Sequence, residues 1–168
     1  MVYAREIESV SWKNKPSLDA VSVSDLQTKD NEISVWEVNT APSNMDDVAL
    51  AVMLRRDRVC EVNMVLMDSV VLNTDYSIQM HQTPGNSIYS QMNGKHNNFV
   101  VPTFWEMGYL TEYIQKTVKD DLSGAVYYSE PRMKNLLRNA FNGGRITADD
   151  IKEKGKLKKA LKALGCNI

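Results

Sequence analysis

The chain has 168 residues, of which 43% are hydrophobic and 24% are charged. These values are typical of a folded domain and exclude a disordered chain, which combines low hydrophobicity with high net charge. The net charge of −1 hides a division, because residues 1–130 contain ten Lys or Arg and eighteen Asp or Glu, whereas residues 131–168 contain ten and three. We therefore predict a single domain, 1–168, with a basic helical C-terminal region over residues 131–168.

No apolar stretch reaches the roughly 18 uncharged residues that a transmembrane helix requires. The strongest candidate, residues 59–72, is shorter and contains three polar or charged side chains. The first residues include Glu6 and Glu8, where a signal peptide would be uninterrupted and apolar. Two cysteines, Cys60 and Cys166, do not resemble the disulfide framework of a secreted domain. The sequence therefore predicts a cytoplasmic protein without membrane association.

The N-terminal quarter predicts an antiparallel hairpin. Residues 19–26 alternate between apolar and polar types, with Val21 and Val23 on one face, which indicates a half-buried strand. Residues 33–38 are rich in β-branched and aromatic side chains and predict a second strand. The polar residues 28–32 between them favour a turn. We expect the two strands to pair with each other.

A helix, a long strand and a polar loop are predicted next. Ser43 is a suitable N-cap followed by acidic residues, and the apolar spacing predicts a helix to about residue 57. Residues 59–72 are too β-branched for a helix and predict a central strand that is covered on both faces. Residues 73–98 predict a long polar loop with room for one short strand at residues 76–81.

Three helices are predicted in the C-terminal part. Thr103 and Glu106 match a capping box, Ser129 caps the second helix before Gly143 ends it, and the third starts near Thr147. The third helix carries an apolar stripe formed by Leu157, Leu161 and Leu164. All the elements together predict an α+β fold with a short, mostly antiparallel sheet, made of the N-terminal hairpin and the central strand. About four helices accompany this sheet, three of them C-terminal.

The last helix carries the clearest functional signal. Lys154, Lys158 and Lys162 recur every four residues, and three more lysines widen the positive surface, namely Lys152, Lys156 and Lys159. Clustered cations can neutralise phosphates and give salt-dependent binding to nucleic acid. The structural alternative is a solvated face whose leucines dock on the rest of the protein. No arginine or aromatic residue lies among these lysines to contact or stack on a base.

The polar loop at residues 73–98 is the second candidate site. It contains His81 and His96, and histidines on a loop that a rigid scaffold positions can bind ligands and titrate near neutral pH. The alternative is a solvated connection between elements. The two histidines do not have zinc-ligand spacing, and Gly94-Lys95 lacks the following Ser or Thr of a phosphate-binding loop. We predict no cofactor.

A small enzyme is the alternative to a binding protein. Asp19, Asp25 and Glu37 lie on the predicted hairpin, where carboxylates on adjacent strands could hold magnesium for hydrolase or nuclease chemistry. Against this, Asn39 stands where such nucleases place a lysine. Cys60 begins an apolar strand, where a cysteine is usually an inert hydrophobe rather than a nucleophile. A third alternative is self-association through exposed methionines or leucines.

The function that the sequence favours is a binding or regulatory module without enzymatic activity. Its partner would be a protein or a nucleic acid, contacted through the basic C-terminal helix at Lys154, Lys158 and Lys162. The polar loop, through His81 and His96, would add a second contact. The pattern of residues does not predict the identity of the partner, the strand order or the oligomeric state.

Overall fold

The computed structural model describes residues 1–8, 12, 20–26, 29–120 and 124–168. The strands are β1 (Val2–Glu6), β2 (Glu32–Val38), β3 (Val62–Asp68), β4 (Gln79–Gln82), β5 (His96–Val100) and β6 (Ala125–Tyr128). The helices are α1 (Ala20–Asp25), α2 (Met45–Met53), α3 (Ser69–Tyr76), α4 (Phe104–Asp120), α5 (Glu130–Asn142), α6 (Gly155–Ala163) and a 3-10 helix at Ser90–Lys95. Within these ranges, no helix is both long and apolar enough to cross a bilayer.

The six strands form one antiparallel sheet in the order β4-β5-β2-β1-β3-β6. Strand β1 lies between β2 and β3, with Tyr3 opposite both Glu37 and Met67. Strand β5 lies between β2 and β4. The α+β class is confirmed, but the predicted short sheet with about four helices is wrong, because the sheet has six strands and the described ranges contain seven helices.

The predicted N-terminal hairpin is also wrong, because Ala20–Asp25 is helix α1 and β2 pairs with β1 and β5 instead. Ser22 and Leu26, four residues apart, are both buried, whereas Val23 is 38% exposed. Burial at that spacing is typical of a helix turned towards a core. The short alternation of valine and serine fits a strand equally well, so contacts distant in the chain decide the structure.

The predicted central strand is shorter than expected and the polar loop is more ordered. Strand β3 ends at Asp68, whose Oδ1 accepts the backbone N–H of Val70 at 2.8 Å and caps helix α3. The predicted loop at residues 73–98 contains β4, the 3-10 helix and the start of β5. Strand β5 is half polar in sequence, and it is stabilised by pairing along both of its edges.

The helices predicted from the caps at Thr103 and Ser129 are confirmed, whereas the cap predicted at Ser43 is wrong, because α2 has Asn44 as its N-cap and ends at Met53. The backbone N–H of Thr103 donates to Glu106 Oε2 at 3.1 Å at the start of α4, and Ser129 caps α5. The start predicted for the last helix is wrong. Thr147 and Asp150 form a capping-box arrangement, but only turns follow before α6 begins at Gly155.

The chain folds into two compact units, each built from three segments. Unit 1 contains Met1–Val38, Asn63–Pro84 and Lys95–Val126, and unit 2 contains Asn39–Val62, Gly85–Gly94 and Tyr127–Ile168. Unit 1 has seven Lys or Arg and thirteen Asp or Glu, a net charge of −6, whereas unit 2 has thirteen and eight, a net charge of +5. The charge division therefore follows the two units. The single domain over residues 1–168 stays a prediction.

The core of unit 2 positions the basic C-terminal helix. Helix α2 is buried over most of its length, and α5 buries the stripe formed by Met133, Leu137 and Ala140. Helix α6 buries Leu157 and Leu161 completely, whereas Leu164 is only half-buried. Two of the three leucines of the predicted stripe are therefore buried, and they fix which sides of α6 remain open to solvent.

Candidate nucleic-acid interface

The lysines of α6 occupy the sides of the helix that the buried leucines leave open. Lys156, Lys159 and Lys162 are exposed, and Lys158 is half-buried beside the leucine stripe. Lys154, immediately before the helix, is half-buried as well. Because a lysine can bury its aliphatic stem while its ammonium group stays in water, partial burial of this kind is compatible with binding an anion.

The lysine charges are not neutralised by carboxylates of the protein. Within the described chain, no ion pair involves any of the six lysines between Lys152 and Lys162. Lys154 donates to the backbone carbonyl of Arg55 at 3.4 Å, a contact that leaves the net charge unchanged. The positive charge on this side of unit 2 is therefore available to an external anion.

A second cationic segment meets the start of α6. Residues 55–58, which we call the arginine loop, follow α2 and contain three exposed arginines, Arg55, Arg56 and Arg58. Lys154 reaches the loop through its contact with the Arg55 carbonyl. Asp57 of the loop accepts the backbone N–H of Lys156 at 3.1 Å. Residues 99 positions apart in the sequence thus contribute to one surface.

The contact between Asp57 and Lys156 caps α6 from outside the helix. Lys154, the N-cap residue, makes no side-chain capping bond. The first turn of a helix has unpaired N–H groups and a partial positive charge, so a carboxylate placed there satisfies a donor and stabilises the helix. Asp57 therefore attaches the arginine loop to α6. It is one of only two acidic residues within residues 55–58 and 152–162.

We call the combined cluster the basic surface. It consists of Arg55, Arg56, Arg58, Lys152, Lys154, Lys156, Lys158, Lys159 and Lys162. Asp57 and Glu153 are the acids within the same two segments, so the segments carry a net charge of +7. Sequence reasoning missed the arginines because they lie far from the lysines along the chain. Three arginines within four residues of an otherwise acidic region are the signal that could have found them.

Comparison of this chain with family models, curated proteins and solved structures finds no match. The function is therefore inferred from the chemistry of the side chains. A cluster of nine cations can neutralise several phosphates of one polyanion at once. Arginine can also bind two phosphate oxygens through its planar guanidinium, whereas lysine acts as a point charge.

Other arginines of unit 2 are engaged within the protein. Arg145 Nη1 lies 2.7 Å from Asp47 Oδ1 and 2.9 Å from the hydroxyl of Tyr89, which itself donates to Asp47 at 2.7 Å. Burial, together with the hydrogen bond to Asp47, raises the pKa of Tyr89 to about 12. The tyrosine therefore stays protonated at neutral pH and remains a donor in this cluster.

A second cluster of an aspartate, a tyrosine and an arginine is built on Asp46, one residue earlier on α2. Asp46 Oδ1 accepts from the hydroxyl of Tyr128 at 2.8 Å and from Arg132 Nη2 at 2.9 Å. The guanidinium of Arg132 also lies 4.0 Å from the centre of the Tyr128 ring. These contacts hold the start of α5 to the start of α2. Arg132 and Arg145 are therefore structural.

The two histidines predicted to bind a ligand lie in unit 1. His81 on β4 is opposite Asn98 of β5, and His96 lies two residues from Asn98 on the same sheet face. His81 Nδ1 lies 3.0 Å from Glu32 Oε1, and Asn98 Nδ2 donates to Glu32 Oε2 at 2.5 Å. The bonds from His81 and Asn98 lower the pKa of Glu32. The cluster links β2, β5 and β4, and a ligand-binding role for it stays a prediction.

The metal site predicted at Asp19, Asp25 and Glu37 stays a prediction. Asp19 lies outside the described residues. Asp25 ends α1, where its Oδ2 accepts from Trp12 Nε1 at 2.5 Å, and Glu37 on β2 pairs with Lys95 at 2.8 Å. Throughout the described ranges, no group of three or more His, Cys, Asp or Glu could hold a metal ion. Both described carboxylates are engaged by donors of the protein itself.

Proposed function

We propose that unit 2 binds nucleic acid through the phosphate backbone, with little dependence on base sequence, and that the basic surface is the contact. The observation that carries this proposal is the meeting of the arginine loop with α6. The two segments that meet carry nine cations, and the six lysines among them form no ion pair within the described chain. Binding would release the counterions condensed on the phosphates, which favours association at physiological salt.

The composition of the basic surface favours nucleic acid over an acidic protein. Protein interfaces usually have an apolar or aromatic centre, and lysine is depleted there. Protein–DNA interfaces are polar and strongly positive instead. The only apolar side chains in the two segments are those of Leu157, Ala160 and Leu161, and both leucines are fully buried. The surface therefore lacks an apolar anchor for a protein partner.

The composition of the basic surface favours a nucleic-acid duplex over a single strand. Proteins that bind single strands without sequence preference stack the bases on aromatic side chains. Neither the arginine loop nor residues 152–162 contains an aromatic residue. Phosphates on the outside of a duplex can be contacted without stacking, and cations alone are sufficient for that contact.

The variant Lys154→Glu, Lys158→Glu, Lys162→Glu is expected to bind a fluorescently labelled DNA duplex about 100-fold more weakly than the natural protein. The estimate follows from counterion release, which gives each lost phosphate contact a factor of about five at about 0.15 M salt. Fluorescence anisotropy titration measures the affinity. All three side chains have solvent-accessible parts, so the variant should keep its circular dichroism spectrum.

The matched control is Lys29→Glu, Lys116→Glu, Lys119→Glu, which makes the same change in net charge on exposed lysines of unit 1. It is expected to reduce the affinity by less than about fivefold, because exposed charges outside the interface act on the duplex only through screening solvent. Equal losses in both variants would mean that overall charge, and not the basic surface, governs binding. Displacement by poly-glutamate as effectively as by unlabelled duplex would assign the surface to acidic proteins instead.

A further inference from the structure

Unit 1 carries an open apolar groove beside the start of α4, separate from the site proposed above. Its volume is about 500 Å³, and it is lined mainly by Val23, Leu26, Val101, Pro102, Phe104 and Met107. Leu26 and Val101 are buried, whereas Phe104 is 92% exposed. Volumes of several hundred Å³ with mostly apolar walls are typical of binding clefts.

Two further exposed aromatic side chains lie on α4, next to the residues that line the groove in the sequence. Trp105 is 75% exposed and Tyr109, one turn later, is 42% exposed. Gly108 lies between them, and a side chain added there would meet no atom within 4 Å. Exposed aromatic groups of this size are typical of interaction sites rather than of ordinary protein surface.

A capping box fixes the backbone of the first turn of α4, which carries Phe104 and Trp105. The side chain of Glu106 accepts from the hydroxyl and the backbone N–H of Thr103, and the Thr103 hydroxyl accepts from the backbone N–H of Trp105 at 3.2 Å. The opposite wall is fixed where the backbone N–H of Val101 donates to the Asn31 carbonyl at 2.8 Å. A preorganised site loses little entropy when a partner binds, so a small apolar anchor can bind it well.

The charge around the groove favours a cationic partner. None of the described residues that line it is a lysine or an arginine, and unit 1 has a net charge of −6. Hydrogen bonds from Thr103 lower the pKa of Glu106, so this carboxylate beside the groove stays ionised. Anionic lipid and nucleic acid are repelled by such a surface, whereas a cationic segment is attracted.

We propose that this groove binds an amphipathic, basic segment of a partner protein. An apolar side chain of that segment fills the groove beside Phe104, and a lysine or arginine of the segment faces Glu106, which is bonded to the lining residue Thr103. The basic amphipathic helix of this chain, α6, does not offer such an anchor to a second copy, because Leu157 and Leu161 are fully buried in unit 2. Helix α6 of a second copy is therefore not the bound segment, and the partner that we propose is a different protein.

Tryptophan fluorescence tests this proposal with a model peptide. Trp12 and Trp36 are buried, so the fraction of the fluorescence that acrylamide quenches comes mainly from Trp105. Titration with a helical peptide of leucine and lysine is expected to shift the emission to shorter wavelength and to protect it from acrylamide. The variant Phe104→Ser should weaken this binding about tenfold or more, as expected for an aromatic residue at the centre of an interface. The matched control, Val70→Ser, changes an exposed apolar residue of α3 and should leave the affinity unchanged.

Four results would overturn the proposal. The first is an unchanged Trp105 signal with the leucine–lysine peptide, and the second is equal binding of a leucine–glutamate peptide. The third is a shift with phosphatidylcholine vesicles but not with the peptide, which would assign the groove to a membrane. The fourth is a shift that grows with protein concentration alone, which would assign it to self-association. None of these results depends on the DNA affinity of unit 2, so the two proposals succeed or fail separately.

Discussion

Reversing the charge of the arginine loop, in the variant Arg55→Glu, Arg56→Glu, Arg58→Glu, is expected to weaken duplex binding about 100-fold at about 0.15 M salt. The reason is that Lys154 and Asp57 bring this loop to the start of α6, where its arginines extend the basic surface. Fluorescence anisotropy with the labelled duplex measures the loss.

The control for this prediction keeps the charge and changes its geometry. In the variant Arg55→Lys, Arg56→Lys, Arg58→Lys the three cations remain, but they can no longer bind two phosphate oxygens each. We expect the affinity for the duplex to fall by less than about tenfold, which is well below the loss expected for the charge reversal. If the glutamate variant binds DNA as tightly as the natural protein, the arginine loop is not part of the interface. The contact would then be limited to the lysines around α6.

Replacing Leu161 by alanine is expected to lower the free energy of unfolding by about 2 to 5 kcal/mol. Leu161 is fully buried, and with Leu157 it forms the apolar stripe that attaches α6 to the core of unit 2. Removing its side chain leaves a cavity where the helix packs. Urea denaturation followed by circular dichroism measures the change.

Leu164→Ala provides the comparison within the same stripe. Leu164 is only half-buried, so its replacement by alanine should lower the free energy of unfolding by less than about half as much as Leu161→Ala. If Leu161→Ala and Leu164→Ala destabilise the protein equally, the helix does not pack as described. The lysines would then have no fixed position relative to the arginine loop, and the basic surface would lose its structural basis.

Signals contained in a few consecutive residues predicted the starts of two helices correctly. Thr103 with Glu106 marked the start of α4 and Ser129 marked the start of α5, because a cap satisfies local backbone donors whatever the rest of the fold does. The burial of Leu157 and Leu161 followed from their spacing for the same reason. Information of this kind does not depend on distant contacts.

The sheet could not be predicted in the same way, because strand pairing is decided between distant segments. Strand β1 is too short to show a pattern, yet it lies between two strands that start about thirty and sixty residues later. Strand β5 contains two asparagines and a histidine, and it is held by pairing on both edges. Residues 20–25 alternate like a strand and still fold as α1. Local propensity is overridden in all three segments.

The candidate interface was likewise predicted only where its residues lie close together in the sequence. Its lysines were visible in the sequence because they recur at helical spacing within one segment. Its arginines were not, since only the folded chain brings Arg55 to Lys154 and Asp57 to Lys156. The groove beside Phe104 was equally hidden. Its walls come from α1, from the residues around Asn31 and from the start of α4.

The salt dependence of duplex binding tests the central claim most directly. For the natural protein we expect the logarithm of the association constant to fall against the logarithm of the salt concentration with a slope of about −4 to −8, as for five to nine phosphate contacts. In the variant Lys154→Glu, Lys158→Glu, Lys162→Glu this slope should be less negative by about 3. A slope shallower than about −2 for the natural protein, or an unchanged slope in the variant, would contradict the account.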